Sequence, residues 1–176
     1  KLAETFPLRL EDHPMHAYSP GGPRTVEYRE GIYVGYRYYD SASREVLFPF
    51  GHGLSYTTFT YTQLSLNAAR ILDGDDLQVT VTITNTGSRA GDEVVQLYVR
   101  DLETSEFRPL QELKRFARVA LLPGQTKTVL FHLDRRAFAY YDTQIADWRI
   151  EPGQFEIRVG ASSRDIRQTA VVEVCP

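Results

Sequence analysis

Leu77-Gln-Val-Thr-Val-Thr-Ile-Thr84 decides the fold. Apolar and polar side chains alternate here. A strand sends successive side chains to opposite faces, so Leu77, Val79, Val81 and Ile83 meet a core while Gln78, Thr80, Thr82 and Thr84 face water. Asn85-Thr-Gly87 then turns the chain. Downstream, the same period of two returns at Val95, Leu97 and Val99, at Val129, Phe131 and Leu133, at Phe155, Ile157 and Val159, and at Ala170, Val172 and Val174. Phe116 to Leu122 is another extended run, and Leu102 to Leu113 reads as an irregular crossing around Pro109. Pro123-Gly124 suits a type II turn, and Pro152-Gly153 reads as a second one. Arg135 to Tyr141 is either a short helical turn or a loop. Upstream, Leu64 and Leu66 alternate from Thr60 onward. About seven strands over roughly 115 residues, with turns at such intervals, predict an all-β sandwich.

Composition supports a folded domain with an appendage. The chain has 176 residues, is 42% hydrophobic and carries a net charge of −3, which leaves enough apolar matter for a core. No lysine/arginine block offers a footprint for nucleic acid or an anionic membrane. No apolar run approaches the roughly 20 residues of a membrane helix. Eleven tyrosines and nine phenylalanines suit pleated surfaces. Cys175 is the single cysteine, so no internal disulfide forms. That usage fits a reducing compartment and leans towards the cytoplasm. No repeat of solenoid length is present.

Residues 1–58 differ in character. Pro7, Pro14, Pro20 and Pro23 interrupt regular structure, and Gly21-Gly22-Pro23 reads as a turn or loop. Thr25 to Tyr39 is expected to be extended, with Val26, Tyr28, Ile32, Val34, Tyr36 and Tyr38 on one face. The piece is too short to close a core of its own, so it is expected to lie on the sandwich or on another domain. Leu47-Phe-Pro-Phe-Gly-His-Gly-Leu-Ser-Tyr-Thr-Thr-Phe59 reads as the join between two domains. Lys1 to Pro7 has no methionine and no signal peptide, and reads as a cut end.

Few residues here invite chemistry. Glu27 and Glu30 sit three apart, on opposite faces of a strand, and read as surface carboxylates rather than a catalytic pair. Asp142 and Asp147 flank a loop beside Trp148 that does not advertise the six or more oxygens of a calcium site. His13, His16, His52 and His132 are scattered without ligand spacing, so no zinc is expected. His52, between Gly51 and Gly53, is expected to hydrogen-bond across a tight bend. Tyr28, Tyr33, Tyr36, Tyr38 and Tyr39 read as a packing layer, with a sugar-stacking platform as the competing view. The lone Trp148 reads as a core or turn anchor. Gly31 and Gly35 lack phosphate-loop order. Ser55 and Ser162 lie outside any nucleophile elbow.

Several segments in order resemble one family. Lys1-Leu-Ala-Glu-Thr-Phe-Pro-Leu-Arg-Leu-Glu-Asp12 and Glu27-Tyr-Arg-Glu-Gly-Ile-Tyr-Val-Gly-Tyr-Arg-Tyr-Tyr-Asp40 are similar to the end of the second domain of family 3 glycoside hydrolases, chiefly β-glucosidases. Phe48 to Phe59 resembles that family's linker. Asn85-Thr-Gly-Ser-Arg-Ala-Gly-Asp-Glu-Val-Val-Gln-Leu-Tyr-Val99, Arg108 to Phe116, Leu122 to Lys127, and Trp148 with Glu151-Pro-Gly153 resemble its fibronectin type III-like last domain. The resemblance implies residues 1–58 as the tail of a preceding α/β domain with its linker, and residues 59–176 as the sandwich. It implies a retaining β-glucosidase acting on terminal β-D-glucosides, whose two carboxyl groups both lie upstream of Lys1. Catalytic residues, cofactor and metal are therefore expected to be none within this chain, and its substrate-binding residues are unassigned. Expected partners are the upstream domains and, through the parent, a β-glucoside, with homo-oligomerisation left open. Two alternatives remain open: a module binding carbohydrate or protein, and a plain fibronectin-like spacer.

Overall fold

A computed structural model describes residues 1–19, 21–22 and 24–176. Pro20 and Pro23, read above as breakers, lie outside the described residues. In chain order the strands are β1 (Phe6–Pro7), β2 (Val46–Phe48), β3 (Phe59–Leu66), β4 (Arg70–Leu72), β5 (Leu77–Asn85), β6 (Gly91–Asp101), β7 (Glu112–Leu121), β8 (Thr126–Leu133), β9 (Tyr140–Asp142), β10 (Asp147–Arg149), β11 (Gly153–Ser162) and β12 (Asp165–Cys175). Among the described residues an α-helix, α1 (Tyr36–Ser41), precedes β2. A five-stranded sheet runs β4-β12-β11-β6-β7 and faces a three-stranded sheet, β3-β5-β8. No helix among the described residues is long and apolar enough to cross a membrane.

The alternation in β5 does what it predicts. Leu77, Val79, Val81 and Ile83 are fully buried, and so are Val95, Leu97, Phe155, Ile157, Val159 and Val172 from the opposite sheet. Each such side chain contributes about 1.5–3 kcal/mol by leaving water. Phe138, just after the 3-10 turn Arg135–Ala137, caps one end of this core edge-on to Phe155, with centroids 5.3 Å apart. The short-turn reading of Arg135 to Tyr141 thus holds, and Tyr140 continues into β9.

Three expectations need correction. The sandwich has eight strands: β4, only three residues long, pairs in parallel with the end of β12 and buries just Ile71, too little to show as a period. Pro123-Gly124 forms the expected turn, with Gln125 N–H donating to Leu122 C=O at 2.9 Å and Gly124 at φ +71°. Pro152-Gly153 does not, because Gly153 is already the first residue of β11, opposite Val174. The third concerns Thr25 to Tyr39. No strand forms there, since nothing among the described residues offers this stretch a hydrogen-bonded edge. The path turns at Gly31, φ +57°, where Tyr33 N–H donates to Glu30 C=O at 2.9 Å; Gly35, at φ +58°, redirects it again, and α1 follows with Tyr36 and Tyr39 buried on one side. A period of three replaces the expected period of two because tertiary contacts hold those two rings.

Strand β6 carries the architecture. Its odd-numbered residues Val95, Leu97 and Val99 face the core, while Gln96 and Tyr98 on the other side are 3% and 0% exposed. A strand buried on both faces needs a layer over its outer side. Tyr36, Phe50 and Gly51, all before β3, supply it.

Candidate domain-docking interface

The layer is built on the glycine-rich join. Gly51 takes φ +81°, and a Cβ there would lie 2.3 Å from Gln96 Oε1, so both its backbone and its contact require glycine. Gln96 lies beneath it. Its Nε2 donates to Ala161 C=O at 2.7 Å, and its Oε1 accepts from the Tyr98 hydroxyl at 2.5 Å. Phe50 C=O accepts from Ser163 N–H at 2.9 Å, and its ring lies 4.8 Å from that of Tyr36, which meets Tyr98 edge-on. Burial pushes the Tyr36 and Tyr98 hydroxyls up from the ordinary phenol range.

His52 tests the bend hypothesis. The crossing bonds come from the backbone: Leu2 N–H donates to His52 C=O at 2.7 Å, and Gly51 N–H to Leu2 C=O at 2.8 Å. The imidazole stacks on Phe48, with centroids 5.0 Å apart. The bend is as expected; the side-chain hydrogen bond is replaced by stacking.

Helix α1 is clamped from the sandwich side. The Tyr36 hydroxyl accepts from Leu113 N–H at 2.8 Å, and Ser41 Oγ accepts from Leu110 N–H at 2.9 Å. Arg164, from the turn before β12, donates to Asp40 Oδ1 at 2.7 Å and to the carbonyls of Tyr39 and Arg44. It thereby ties the end of α1 and the loop after it to the sandwich.

The linker enters β3 past Asn85. Asn85 is fully buried, accepts from Thr57 Oγ1 and Gly87 N–H, and donates to the carbonyls of Arg89 and Leu121. Side chains at Gly87 or Gly91 would strike Thr57 at 2.3 and 2.7 Å. The Asn-Thr-Gly turn is therefore also the seat of the linker. At the chain start, Lys1 Nζ pairs with the buried Glu93 at 3.2 Å.

The candidate site residues are dispersed. Glu27 pairs with Arg29 in solvent, while Glu30 Oε2 is buried without a hydrogen-bond partner. Asp142 ties down its own loop through Gln144 N–H and Arg149, which hold its carboxyl below the usual range. Asp147 bonds the adjacent Trp148 N–H. Trp148 anchors the β9–β10 hairpin, edge-on to Tyr141 and beneath Arg136. His13 accepts from Met15 N–H. Ser162 Oγ accepts from Arg164 and Asp165 N–H, and Ser55 lines a cleft beside Gly91. Tyr36 and Tyr39 are core, Tyr33 stacks on Phe107 at 4.8 Å, and Tyr28 is 81% exposed. The five tyrosines therefore form no single platform. Among the described residues no group of three or more His, Cys, Asp or Glu side chains could hold a metal.

Sequence reasoning missed an ion network beneath this layer. Arg108, in the Leu102–Leu113 crossing, is buried between Asp101 at 2.8 Å and Glu112 at 3.6 Å, and Lys114 joins Glu112 at 3.1 Å. Burial raises Asp101, with Arg108 opposing. Burial also works on Glu112, yet Lys114, Arg108 and Arg37 bring its carboxyl below the ordinary range. Burial lowers Lys114. The only sequence signal was a cluster of opposite charges around a proline.

The layer leaves much apolar surface open. Leu10, Val26, Tyr28, Ile32, Val34, Leu54 and Tyr56 are all more than half exposed.

Known proteins match this arrangement. A fibronectin type III-like domain model matches residues 93–163. Thermostable beta-glucosidase B of Acetivibrio thermocellus is 54% identical over 94% of this chain, and the match spans 22% of that protein. An exo-alpha-(1->6)-L-arabinopyranosidase of Bifidobacterium breve is 43% identical over 98% of the chain and 22% of its own length. The crystal structure of a GH3 beta-glucosidase from Bifidobacterium adolescentis superposes with a TM-score of 0.93 at 42% identity, over 99% of this chain and 25% of that one. The chain thus spans about a quarter or less of the proteins it matches.

Proposed function

Because this chain belongs to glycoside hydrolase family 3, matching the C-terminal part of its β-glucosidases, we propose that it is the non-catalytic end of a retaining β-glucosidase acting on terminal β-D-glucosides. Its role is to brace the catalytic domains. The observation that carries this reading is the two-sided burial of β6 beneath a layer whose own outer side stays apolar and open. Residues 1–58 would be the tail of the preceding domain and its linker, and residues 59–176 the sandwich on which that tail is fixed. Val26 to Glu30, unpaired ahead of the turn at Gly31, would gain a hydrogen-bonding edge, and Glu30 a donor, from that domain. The nucleophile, on an N-terminal barrel domain, and the acid/base, earlier in the preceding domain, would both lie upstream of Lys1, about 5–5.5 Å apart as retention requires. The match to an exo-alpha-(1->6)-L-arabinopyranosidase supports reading sugar preference as set outside this region.

The test is hydrolysis of an aryl β-D-glucoside by the longer parent protein and by this chain, each pure. An active parent and an inert chain are expected. Turnover by the chain alone would sink the proposal.

A further inference from the structure

A cleft of about 510 Å³ opens between the β9–β10 hairpin, the Glu106–Pro109 crossing and helix α1. Four cations line it, Arg37, Arg108, Lys114 and Arg136, against three carboxylates, Glu106, Glu112 and Asp142. The carboxylates are unevenly placed. Asp142 is taken by Arg149, and Glu106 stands exposed in the crossing. Glu112 faces Arg37, Arg108 and Lys114, at 3.8, 3.6 and 3.1 Å, and behind it Arg108 is paired with Asp101 at 2.8 Å. The Arg37 Nε is buried with no hydrogen-bond partner. Among the described residues Arg136 makes no ion pair, and its guanidinium lies 3.6 Å from the centroid of Trp148. Burial depresses the Lys114 ammonium, Glu112 opposes, and Arg108 and Arg37 depress it further. A second negative charge in the cleft would relieve that repulsion. The remaining wall is aromatic, from Tyr140, Tyr141 and Trp148.

We propose that this cleft is a binding site for a small ring-bearing anion, its carboxylate or phosphate held between Arg37 and Arg136 and its ring laid against the aromatic wall. Guanidinium forks suit both oxyanions, and the cavity volume suits one or two sugar rings. The site goes beyond the scaffold role and stands whether or not the parent is a β-glucosidase. It also gives a use to the single tryptophan, whose emission reports on the cleft.

The experiment titrates the chain with D-glucuronate, with D-glucose 6-phosphate and with neutral D-glucose. It follows Trp148 emission and, independently, ligand-observed saturation-transfer NMR. Saturable binding of at least one anion on the order of 1 mM is expected, with glucose at least tenfold weaker. The tighter of the two anions identifies the source as uronate or phosphate. Arg37→Gln and Arg136→Gln should each weaken the anion by about tenfold, with circular dichroism unchanged. Three results would overturn the site: no saturation by either anion, glucose binding as tightly as the anions, or both variants binding as the parent sequence does.

Discussion

The sandwich and the segment before it solve the same physical problem in opposite ways. From Phe59 onward, apolar residues spaced by two meet each other across two sheets, and ten of them reach complete burial in β5, β6, β11 and β12. Before Phe59, apolar residues are as plentiful but meet water: Leu10 is 72% exposed, and Leu54 and Tyr56 are each 93% exposed. The first region carries its own partner surface. The second binds one side to β6 through Tyr36, Phe50 and Gly51 and presents the other. Hydrophobicity alone does not make a core; the periodicity must bring the apolar faces together.

Breaking the closed half should cost most. Phe155→Ala removes a fully buried ring packed on Phe138 and should lower unfolding free energy by about 3–5 kcal/mol in a denaturant titration. Arg108→Ala should cost a similar ~3–5 kcal/mol, because it strands the buried Asp101 carboxylate without its partner. Arg108→Lys should recover only part, since one ammonium cannot reproduce a guanidinium fork.

Breaking the seam should cost less and separate the halves. Gly51→Ala forces a Cβ into Gln96 at a positive φ and should destabilise by about 1–3 kcal/mol. The expected signature is faster amide exchange at Ser163, whose N–H is bonded to Phe50 C=O, with the β5 and β11 amides unchanged.

Acid should act through the same seam. Glu112 has its folded pKa below its ordinary value. Its contribution to stability is therefore present above the ordinary glutamate range and is lost as pH falls through the depressed folded value. Stability curves of the chain and of Glu112→Gln should converge on acidification below about pH 4.3. Parallel curves throughout that range would remove Glu112 from the account. The smallest effect in the chain alone belongs to Tyr28→Ser, within about ±0.5 kcal/mol. In the longer parent the same change should destabilise measurably, because there the ring is proposed to be covered.

The sandwich was legible because it is periodic. Leu77 to Ile83 state their face in one strand, and Pro123-Gly124 marks a turn by its own conformational needs. β4 was not legible, since three residues with one buried side chain carry no period. Helix α1 was misread because Tyr36-Arg-Tyr-Tyr39 fits periods of two and of three equally, and the choice rests on Phe50 and Tyr98, which are distant in sequence. The Gly51–Gln96 contact is similarly nonlocal: the glycine announced a bend, but not what lay beneath it. At the charged cleft, Arg37, Arg136 and Trp148 come from separate elements, and no local spacing links them.

Amide hydrogen exchange, compared between this chain and the longer parent, tests the central claim most directly. The account predicts β5, β6 and β11 slow in both, and Val26 to Glu30 fast in the chain but protected in the parent. Equal protection of Val26 to Glu30 in the two, whether fast or slow, would contradict it.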